Sequence, residues 1–365
     1  MRSINFAQWG NDLYTGRRSY NVVGRRRRFF SVSAVILAVC GLLMVVPGLE
    51  LGIDFRGGSE FRVVTTQTSI ETDPAIDAVQ SVAADEVPRV TKVGAGSLRI
   101  QTRELSNAQT EQVSSSLAEA YSVPLEDITS TWVGPTWGRD VSGKAFSGAG
   151  IFMVLVMIAM TFYFRAWRMA VSAIAALIHD LIVTIGVYAI VGFEITPASI
   201  IGFLTVLGYS LYDTVVVFDK VRENTHNVLD QSQFTYAEAA NLAVNQTMVR
   251  SINTSVVALL PVGSILFIGA FLLGAGTLRD ISLALFVGMI AGTYSSIFLA
   301  TPMEVALRGN ERRIREHTAK VLARRAASGD ESSTVSRLTP IGAIRPGIHQ
   351  GQSAQPRRRG RKTGR

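Results

Sequence analysis

The sequence predicts a membrane protein in which six transmembrane helices form an all-α bundle, with a small α+β domain between the first and second helices. Hydrophobic residues make up 48% of the 365 residues and charged residues only 18%, and the mean hydropathy is +0.27. These values differ from those of soluble proteins in the direction of a membrane protein. Six apolar runs stand out, each about 20 residues long, which is the length that crosses a hydrocarbon core about 30 Å thick.

The six apolar runs divide the chain into membrane and aqueous segments. Their number and length together exclude the buried helices of a soluble protein. We predict transmembrane spans at 29–49, 146–164, 169–191, 195–218, 251–273 and 281–303. The remaining segments are a basic N-terminus over 1–28, an α+β domain over 50–145, a helical hairpin over 219–250 and a basic tail over 308–365.

Lys and Arg residues set the predicted orientation. They concentrate in alternate connections, before the first span and after the second, fourth and sixth, which by the positive-inside rule places both termini in the cytoplasm and the α+β domain outside it. The first span is too long for a cleavable signal, and no convincing cleavage site follows it. The tail after Leu307 carries 15 Lys/Arg against four Asp/Glu and lacks apolar periodicity after about Ala323, so we predict that it is disordered. Its charge suits anionic lipid, nucleic acid or a ribosome.

The segment after the first span has the pattern of a mixed domain. Strand-like and helix-like stretches alternate in the order β-α-β-β-α-β, which is typical of a ferredoxin-like split sheet. Gly57 and Gly58 stand where the membrane helix gives way to the first strand. Glycine allows the positive φ of a tight turn, and it also suits a hinge that lets the domain swing; the sequence leaves both interpretations open.

Asp213 is the most informative polar residue, because it lies in the fourth predicted span. A carboxylate at membrane depth is costly to keep charged and is rare without a function. The alternative is that Asp213 lies at a helix end, in water. The turn after this span is centred near Ser232, and a capping-box pattern at Thr235 and Glu238 starts the next helix. In an antiparallel hairpin Arg250 then lies level with Asp213, and we predict a buried ion pair that opens when the carboxylate is protonated.

Other polar residues in the spans have two interpretations each. His179 and Asp180, in the third span, could relay protons or hydrogen-bond a neighbouring helix. Asn253 and Thr254 in the fifth span, and Ser295 and Ser296 in the sixth, are better explained by helix contact than by the alternative, a hydrated path. Gly288 and Gly292 have the small-xxx-small spacing of closely packed helices.

Metal, cofactor and enzyme functions have no support in the sequence. Cys40 is the single cysteine, and the four histidines are scattered along the chain, which argues against a thiolate or zinc site. No nucleophile, dinucleotide-binding or metalloprotease motif is present. We therefore expect a protein that is not an enzyme and that needs no metal or cofactor.

Four segments carry a resemblance to a known family. The segment GIDFRGG over 52–58, including Gly52, Asp54, Phe55 and Arg56, resembles the signature of the SecD/SecF family of bacterial protein-export subunits. The segments GYSLYDTVVVFD over 208–219, which ends at Asp219, RSINTS over 250–255, and HD over 179–180 resemble motifs of the same family. At position 212 the chain has Tyr where the family usually has Asn.

The resemblance implies half of an RND-type bundle, completed by a SecD partner and docked on the SecYEG channel in the bacterial plasma membrane. It implies that the chain promotes late, proton-motive-force-driven export of pre-proteins after SecA has used ATP, with Asp213 and Arg250 as the proton-responsive residues. Two alternatives remain from the residues themselves. One is half of an RND-type small-molecule exporter, against which the six spans and single small outer domain argue. The other is a structural subunit without proton coupling.

Overall fold

The computed structural model describes residues 6–46, 48–65, 70–92, 96–272 and 276–327, and most of these are helical. The helices are α1 (Phe6–Tyr14), α2 (Arg26–Val45), α3 (Ile53–Arg56), α4 (Asp73–Val82), α5 (Asn107–Tyr121), α6 (Pro135–Phe164), α7 (Trp167–Val191), α8 (Pro197–Thr225), α9 (Tyr236–Ser264), α10 (Gly276–Ser295), α11 (Thr301–Arg308) and α12 (Arg312–Ala327). A π-helical segment, Ile265–Leu272, extends α9, and a second, Ser296–Ala300, joins α10 to α11.

Six helices of the described residues are long and apolar enough to cross a membrane, and each overlaps one of the predicted spans. They are α2, α6, α7, α8, α9 with its π segment, and α10 continued through α11. Several extend well beyond the apolar run: α6 begins at Pro135 rather than at 146, and α9 at Tyr236 rather than at 251. Hydropathy detects only the part of a helix that lies in hydrocarbon, whereas the backbone hydrogen bonds continue into water.

Glycines bring α8 and α10 into close contact. A Cβ atom on Gly288 would lie 2.4 Å from a methyl group of Val206, and one on Gly292 would lie 2.9 Å from the Cβ of Ser210. Neither distance is compatible with a side chain in the present packing. The predicted close helix approach at Gly288 and Gly292 is therefore confirmed, and α8 is the neighbour involved.

The segment between α2 and α6 contains one four-stranded antiparallel sheet. Its strands are β1 (Gly58–Val64), β2 (Arg89–Lys92), β3 (Ser97–Thr102) and β4 (Ile128–Val133), in the spatial order β2-β3-β1-β4. Side chains alternate between its faces. One face packs against α4 and α5 through Phe61, Val63, Leu98 and Ile100. The other face carries Glu60, Arg62, Arg99 and Gln101, and part of it meets the helix bundle.

The segment before the first membrane helix is held on α9. The Asn241 carboxamide oxygen accepts hydrogen bonds from the backbone N–H groups of Val22 and Val23, at 2.9 and 3.0 Å, and its nitrogen donates to the carbonyl oxygen of Tyr20. Asn245, one turn later, bonds both the N–H and the carbonyl oxygen of Tyr20. Two amides spaced i, i+4 lie on one helix face, so together they bind the backbone of the segment before α2.

The prediction of disorder over 308–365 is wrong for its first part, while residues 328–365 lie outside the described residues. Arg312–Ala327 forms α12, whose buried residues Ile314, His317 and Val321 follow a helical period. His317 Nε2 lies 2.7 Å from the Gln231 carbonyl oxygen, and Arg325 donates to both carboxylate oxygens of Glu238. The prediction failed because the stretch is highly charged and its apolar stripe, which packs on the α8–α9 turn, is short. Glu238 and Thr235 also form the predicted capping box.

The close contact of α8 and α10 predicts a strong asymmetry between two glycine substitutions. Gly288→Leu should force these helices apart and destabilise the protein by about 1–3 kcal/mol, as overpacking does. Gly143→Leu, on an exposed part of α6 with no atoms near its added Cβ, is the matched control and should have little effect. Heating of the detergent-solubilised variants followed by size-exclusion chromatography measures the difference. Equal midpoints for the two variants would contradict this account of the helix contact.

Candidate functional site

Among the described residues, two buried carboxylates of the membrane helices accept hydrogen bonds from serine side chains of other helices, and the first is Asp180 of α7. Its side chain is 0% exposed. One carboxylate oxygen accepts hydrogen bonds from the hydroxyl groups of Ser210 on α8, at 2.5 Å, and Ser295 on α10, at 2.8 Å. The other oxygen lies 3.2 Å from Nδ1 of His179. Asp180 therefore joins three membrane helices through one buried side chain.

The second carboxylate is Asp213 of α8, which is 5% exposed. Ser296, the first residue of the π-helical segment, donates its hydroxyl hydrogen to Asp213 at 2.5 Å. The alternative in which Asp213 lies in water at a helix end is therefore wrong. We call Asp180, Asp213, Ser210, Ser295 and Ser296 the carboxylate cluster.

Local helix geometry explains how α10 serves both carboxylates. Successive residues of a helix point about 100° apart, so Ser295 can face Asp180 while Ser296 faces Asp213. The missing side chain of Gly292 allows α10 to approach α8 closely enough for these bonds. The π-helical segment begins at Ser296, and single-turn π segments of this kind occur frequently at functional sites.

The predicted ion pair between Asp213 and Arg250 is not formed in this structure. Among the described residues, no basic group lies within 4.0 Å of Asp213, and Arg250 is exposed. Arg250 donates at 3.5 Å to the hydroxyl group of Tyr212, the neighbour of Asp213. Arg250 therefore lies beside the region of α8 that the sequence predicts. Hairpin geometry does not define the rotation of each helix about its axis, and this rotation turns Asp213 inward and leaves Arg250 outside.

The candidate relay residues divide into two groups. His179 is buried beside Asp180, and its ring lies 5.9 Å from that of Tyr294. Asn253 is exposed, and the Thr254 hydroxyl donates to carbonyl oxygens one turn earlier on its own helix, so neither belongs to the carboxylate cluster. The face of α9 that enters the bundle is that of the buried Ser251 and Ser255 instead.

The sequence assigned no role to Ser210, and it favoured simple helix contact for Ser295 and Ser296. A serine in a membrane helix is common, and its hydroxyl usually bonds a carbonyl oxygen of its own helix. The one available signal was adjacency, because Ser295 and Ser296 follow the Gly288 and Gly292 pattern on one helix. This pattern identifies a close helix contact, but only the fold shows that carboxylates lie opposite it.

The side chains of the cluster are chemically able to bind and release a proton. Among the described residues, the only basic group within 4.0 Å of either carboxylate is the His179 imidazole, which is charged only when protonated. A buried carboxylate without a cation is costly in its charged form. Hydroxyl groups can donate to the charged form and accept from the protonated form, so they serve both states. The described residues contain no group of three or more His, Cys, Asp and Glu that could hold a metal ion.

The GIDFRGG segment connects the bundle to the segment that contains the sheet. Gly52 donates its backbone N–H to the Ile195 carbonyl oxygen at 3.0 Å, next to an isolated parallel bridge between Leu51 and Ile195. The short helix α3 then packs on α6, where a Cβ on Gly138 would lie 2.4 Å from the Phe55 carbonyl oxygen. The segment is therefore fixed to three parts of the chain: the α7–α8 loop, α6 and β1.

The two glycines of this segment have different surroundings. Gly57 ends α3 with φ 76°, and Gly58 begins β1 with φ 133°, both in the region that favours glycine. A Cβ on Gly58 would lie 2.3 Å from the Thr102 carbonyl oxygen. These angles account for both glycines as a turn, and a hinge at this point stays a prediction.

Three other charged residues of the family-like motifs lie outside the carboxylate cluster. Arg56 is exposed and donates to the Leu49 carbonyl oxygen, while Asp219 is an exposed residue of α8. Asp54, in the first turn of α3, is half-buried and lines a polar cavity of about 420 Å³ between the sheet and the bundle. Burial raises the pKa of the Asp54 carboxyl, although the positive charge of Arg99 partly opposes this.

Comparison with known proteins relates the chain to protein-export subunits. Residues 112–310 match the family described as "Protein export membrane protein SecD/SecF, C-terminal", and residues 42–69 match the "SecD/SecF GG Motif". The chain is 43% identical to the protein translocase subunit SecF of Streptomyces coelicolor over 98% of its own length and 96% of that protein. It is also 43% identical to SecF of Mycobacterium tuberculosis (strain H37Rv), covering 91% of this chain and 77% of the relative.

A solved structure supports the same relationship. The crystal structure of SecDF from Thermus thermophilus, described as a translocon-associated membrane protein, superposes with a TM-score of 0.72 at 28% identity. The match covers 81% of this chain and 39% of that chain. Another SecDF structure, in a super-membrane-facing form, gives a TM-score of 0.55. The fold of this chain therefore resembles a part of a larger single-chain relative.

The raised pKa of Asp54 predicts how stability depends on pH. A carboxyl whose pKa is higher in the folded state stabilises the fold below its unfolded value of about 3.9, and this contribution is lost as pH rises through the folded pKa. Asp54→Asn, which has no charge to bury, should therefore unfold at a higher temperature than the parent at pH 7. The difference should shrink as the pH is lowered toward 4. Thermal unfolding of the purified proteins across this range measures it, and a lower midpoint for Asp54→Asn at pH 7 would show that the charged form stabilises the turn.

Proposed function

Because the chain belongs to the SecD/SecF family and is a SecF-type subunit of the Sec protein-export machinery, we propose that it couples proton movement through its bundle to late steps of export. The single observation that carries this proposal is the carboxylate cluster. Asp180 and Asp213 are buried in membrane helices, and their oxygens accept hydrogen bonds from serine hydroxyl groups. Intramembrane carboxylates of this kind commonly mark proton pathways.

Protonation would switch the cluster between two packings. A neutral Asp213 can keep the hydrogen bond from Ser296 inside the bundle. A charged Asp213 favours a nearby cation. Arg250 is a candidate, because it donates a hydrogen bond to Tyr212, the residue next to Asp213. We propose that Arg250 reaches Asp213 only in the second state. The proton-motive force can drive the change, since one charge crossing 100 mV releases about 2.3 kcal/mol.

The outer segment completes the proposal. We assign it a ferredoxin-like domain, on the strength of its β2-β3-β1-β4 antiparallel order and of the two helices packed on one face of the sheet. We propose that it lies outside the cytoplasm of a bacterial cell and that both termini lie in the cytoplasm. The reason is that the Lys and Arg residues cluster in the connections on the side of the plasma membrane opposite the domain. The domain then lies where an exported polypeptide emerges.

The proposed partners follow from the relatives. The Thermus thermophilus SecDF chain is more than twice as long as its matched part, so SecD would supply the other half of an RND-type bundle here. Lipid-facing or partner-facing side chains are plentiful on α2 and α6, for example Val35, Leu42, Phe146 and Phe162. We further propose docking on SecYEG, action on pre-proteins after SecA, and attraction of the basic tail to anionic lipid or a ribosome.

Export assays on three variants test the coupling. Asp213→Asn imitates the protonated acid permanently, so proton-motive-force-dependent export should fall at least about tenfold while the protein still folds and joins its complex. Arg250→Met should reduce export as well, because it removes the charge that responds to Asp213. Glu223→Gln, the same chemical change at an exposed position of α8, is the matched control and should leave export unchanged. The assay keeps the ATP-driven step saturated.

The outcome separates the proposal from its main alternative. Normal export by Asp213→Asn at normal expression would leave a structural subunit, in which the serine–carboxylate bonds only hold α7, α8 and α10 together. Loss of export together with loss of the folded protein would also favour the structural subunit, because Asp213 would then be needed for the fold.

The proposed orientation has its own test. A reporter that is active only outside the cytoplasm should work when fused after Thr102 or Gly276 and fail when fused after Ser232, which lies in the α8–α9 turn. Activity of the Ser232 fusion would contradict the orientation, and with it the placement of the outer domain.

A further inference from the structure

A cluster of four charged or polar side chains joins the sheet to the bundle, and the proposed function does not yet use it. Arg99 of β3 lies 3.3 Å from the Glu194 carboxylate and 3.4 Å from that of Glu60 on β1. Gln101 donates to the same two acids, at 2.8 Å to Glu194 and 3.1 Å to Glu60. Arg99 is 8% exposed and Glu194 6%. We call these four residues the outer latch.

The position of Glu194 gives the outer latch its significance. Glu194 lies in the loop over 192–196, which joins α7 to α8. These two helices carry Asp180 and Asp213, roughly 18 and 24 Å from the ends of the loop along their axes. A displacement of either helix along its axis or in tilt therefore moves this loop.

The third helix of the carboxylate cluster also reaches the loop. Near the outer end of α10, the Arg279 guanidinium lies 4.2 Å from the centre of the Phe193 ring. Thr196 donates its hydroxyl hydrogen to Asp280 at 3.3 Å. The loop over 192–196 thus meets α7, α8 and α10 together, which are the helices that the carboxylate cluster connects.

On its outer side the loop contacts the linker to the domain, which is the stretch over 48–56. Ile195 donates to the Glu50 carbonyl oxygen at 2.6 Å and accepts from Gly52 at 3.0 Å. These backbone bonds fix the linker just before Gly57. Beyond Gly57, the ion pair between Arg99 and Glu194 is the buried charged contact that ties the sheet to the loop. A buried pair that loses one partner is strongly destabilised, so its two halves should move together.

We propose that Arg99 is a positioning residue that transmits movement of the α7–α8 loop to the outer domain through Glu194. The domain follows the loop while the outer latch is closed and turns about Gly57 when it opens. This inference rests on the proposed function, because the movement of the helices is taken to arise at the carboxylate cluster. It replaces a freely swinging hinge by a driven one.

Distance measurements on the full chain test the outer latch without export. In a Cys40→Ala background, spin labels at Ser115→Cys on α5 and Ile201→Cys on α8 report the distance from domain to bundle in lipid nanodiscs; both positions are exposed. The parent should give a narrow distance distribution. Arg99→Met and Glu194→Gln should each broaden it and shift it to longer distances. Glu194→Gln leaves the residues of the sheet unchanged, so it also guards against a folding defect of Arg99→Met.

Two further variants make the test specific. Arg62→Met is the matched control: Arg62 is opposite Arg99 in the β1–β3 register and lines the same cavity, and no carboxylate of the described residues lies within 4.0 Å of it. It should keep the parent distribution. The charge exchange Arg99→Glu with Glu194→Arg should restore it, since Arg at 194 can pair with both acids. Unchanged distances in Glu194→Gln, equal broadening in Arg62→Met, or failure of the exchange would each overturn the proposal.

Export distinguishes this inference from the function on which it rests. Proton-motive-force-dependent export should fall several-fold in Glu194→Gln and recover in the exchange variant. If the distances change and export does not, the outer latch only supports the fold and the transmission is overturned. If Asp213→Asn exports normally, the proton coupling itself fails, whereas the distance results on the outer latch are unaffected.

Discussion

A carboxylate inside a membrane bundle must be neutral or must be given hydrogen-bond donors, and the arrangement of the central helices meets this requirement. Asp180 and Asp213 come from two successive helices, and the hydroxyl groups that bond them come largely from a third. Those hydroxyl groups reach the carboxylates only because Gly288 and Gly292 allow α10 to lie against α8. Two acidic side chains and two glycines thus determine how these three helices pack.

The same three helices meet the outer domain at one place. Their outer ends converge on the loop over 192–196, where Glu194 bonds the sheet through Arg99 and Gln101. Among the described residues, the polar contacts at this place include these bonds and, beside them, the ion pair between Arg89 of β2 and Glu50. A polar cavity of about 420 Å³ lies beside this junction, between the polar face of the sheet and the helices. In the proposed coupling, a change at the carboxylate cluster reaches the domain through a helix and this junction.

The opposite side of the bundle is held by different chemistry. Asn241 and Asn245 bond the backbone before α2, and Arg325 of α12 forms a two-pronged ion pair with Glu238. The carboxylate of Glu238 also accepts the backbone N–H of Thr235, so one side chain caps α9 and docks α12. The Arg325 hydrogen bond to Glu238 raises the pKa of the Arg325 guanidinium, which therefore stays charged. Both described terminal segments thus pack on the hairpin that carries Arg250.

The sequence by itself determined the number of membrane helices, the capping box at Thr235, the close contact at Gly288 and the position of Asp213 within a membrane helix, because periodicity, length and capping patterns are local properties. Tertiary structure decided the rest. The rotation of each helix about its axis places Asp213 against Ser296 and leaves Arg250 and Asn253 outside. Likewise, the helix α12 depends on packing its apolar stripe against the α8–α9 turn. A short, highly charged segment is only marginally stable as a helix without such a partner.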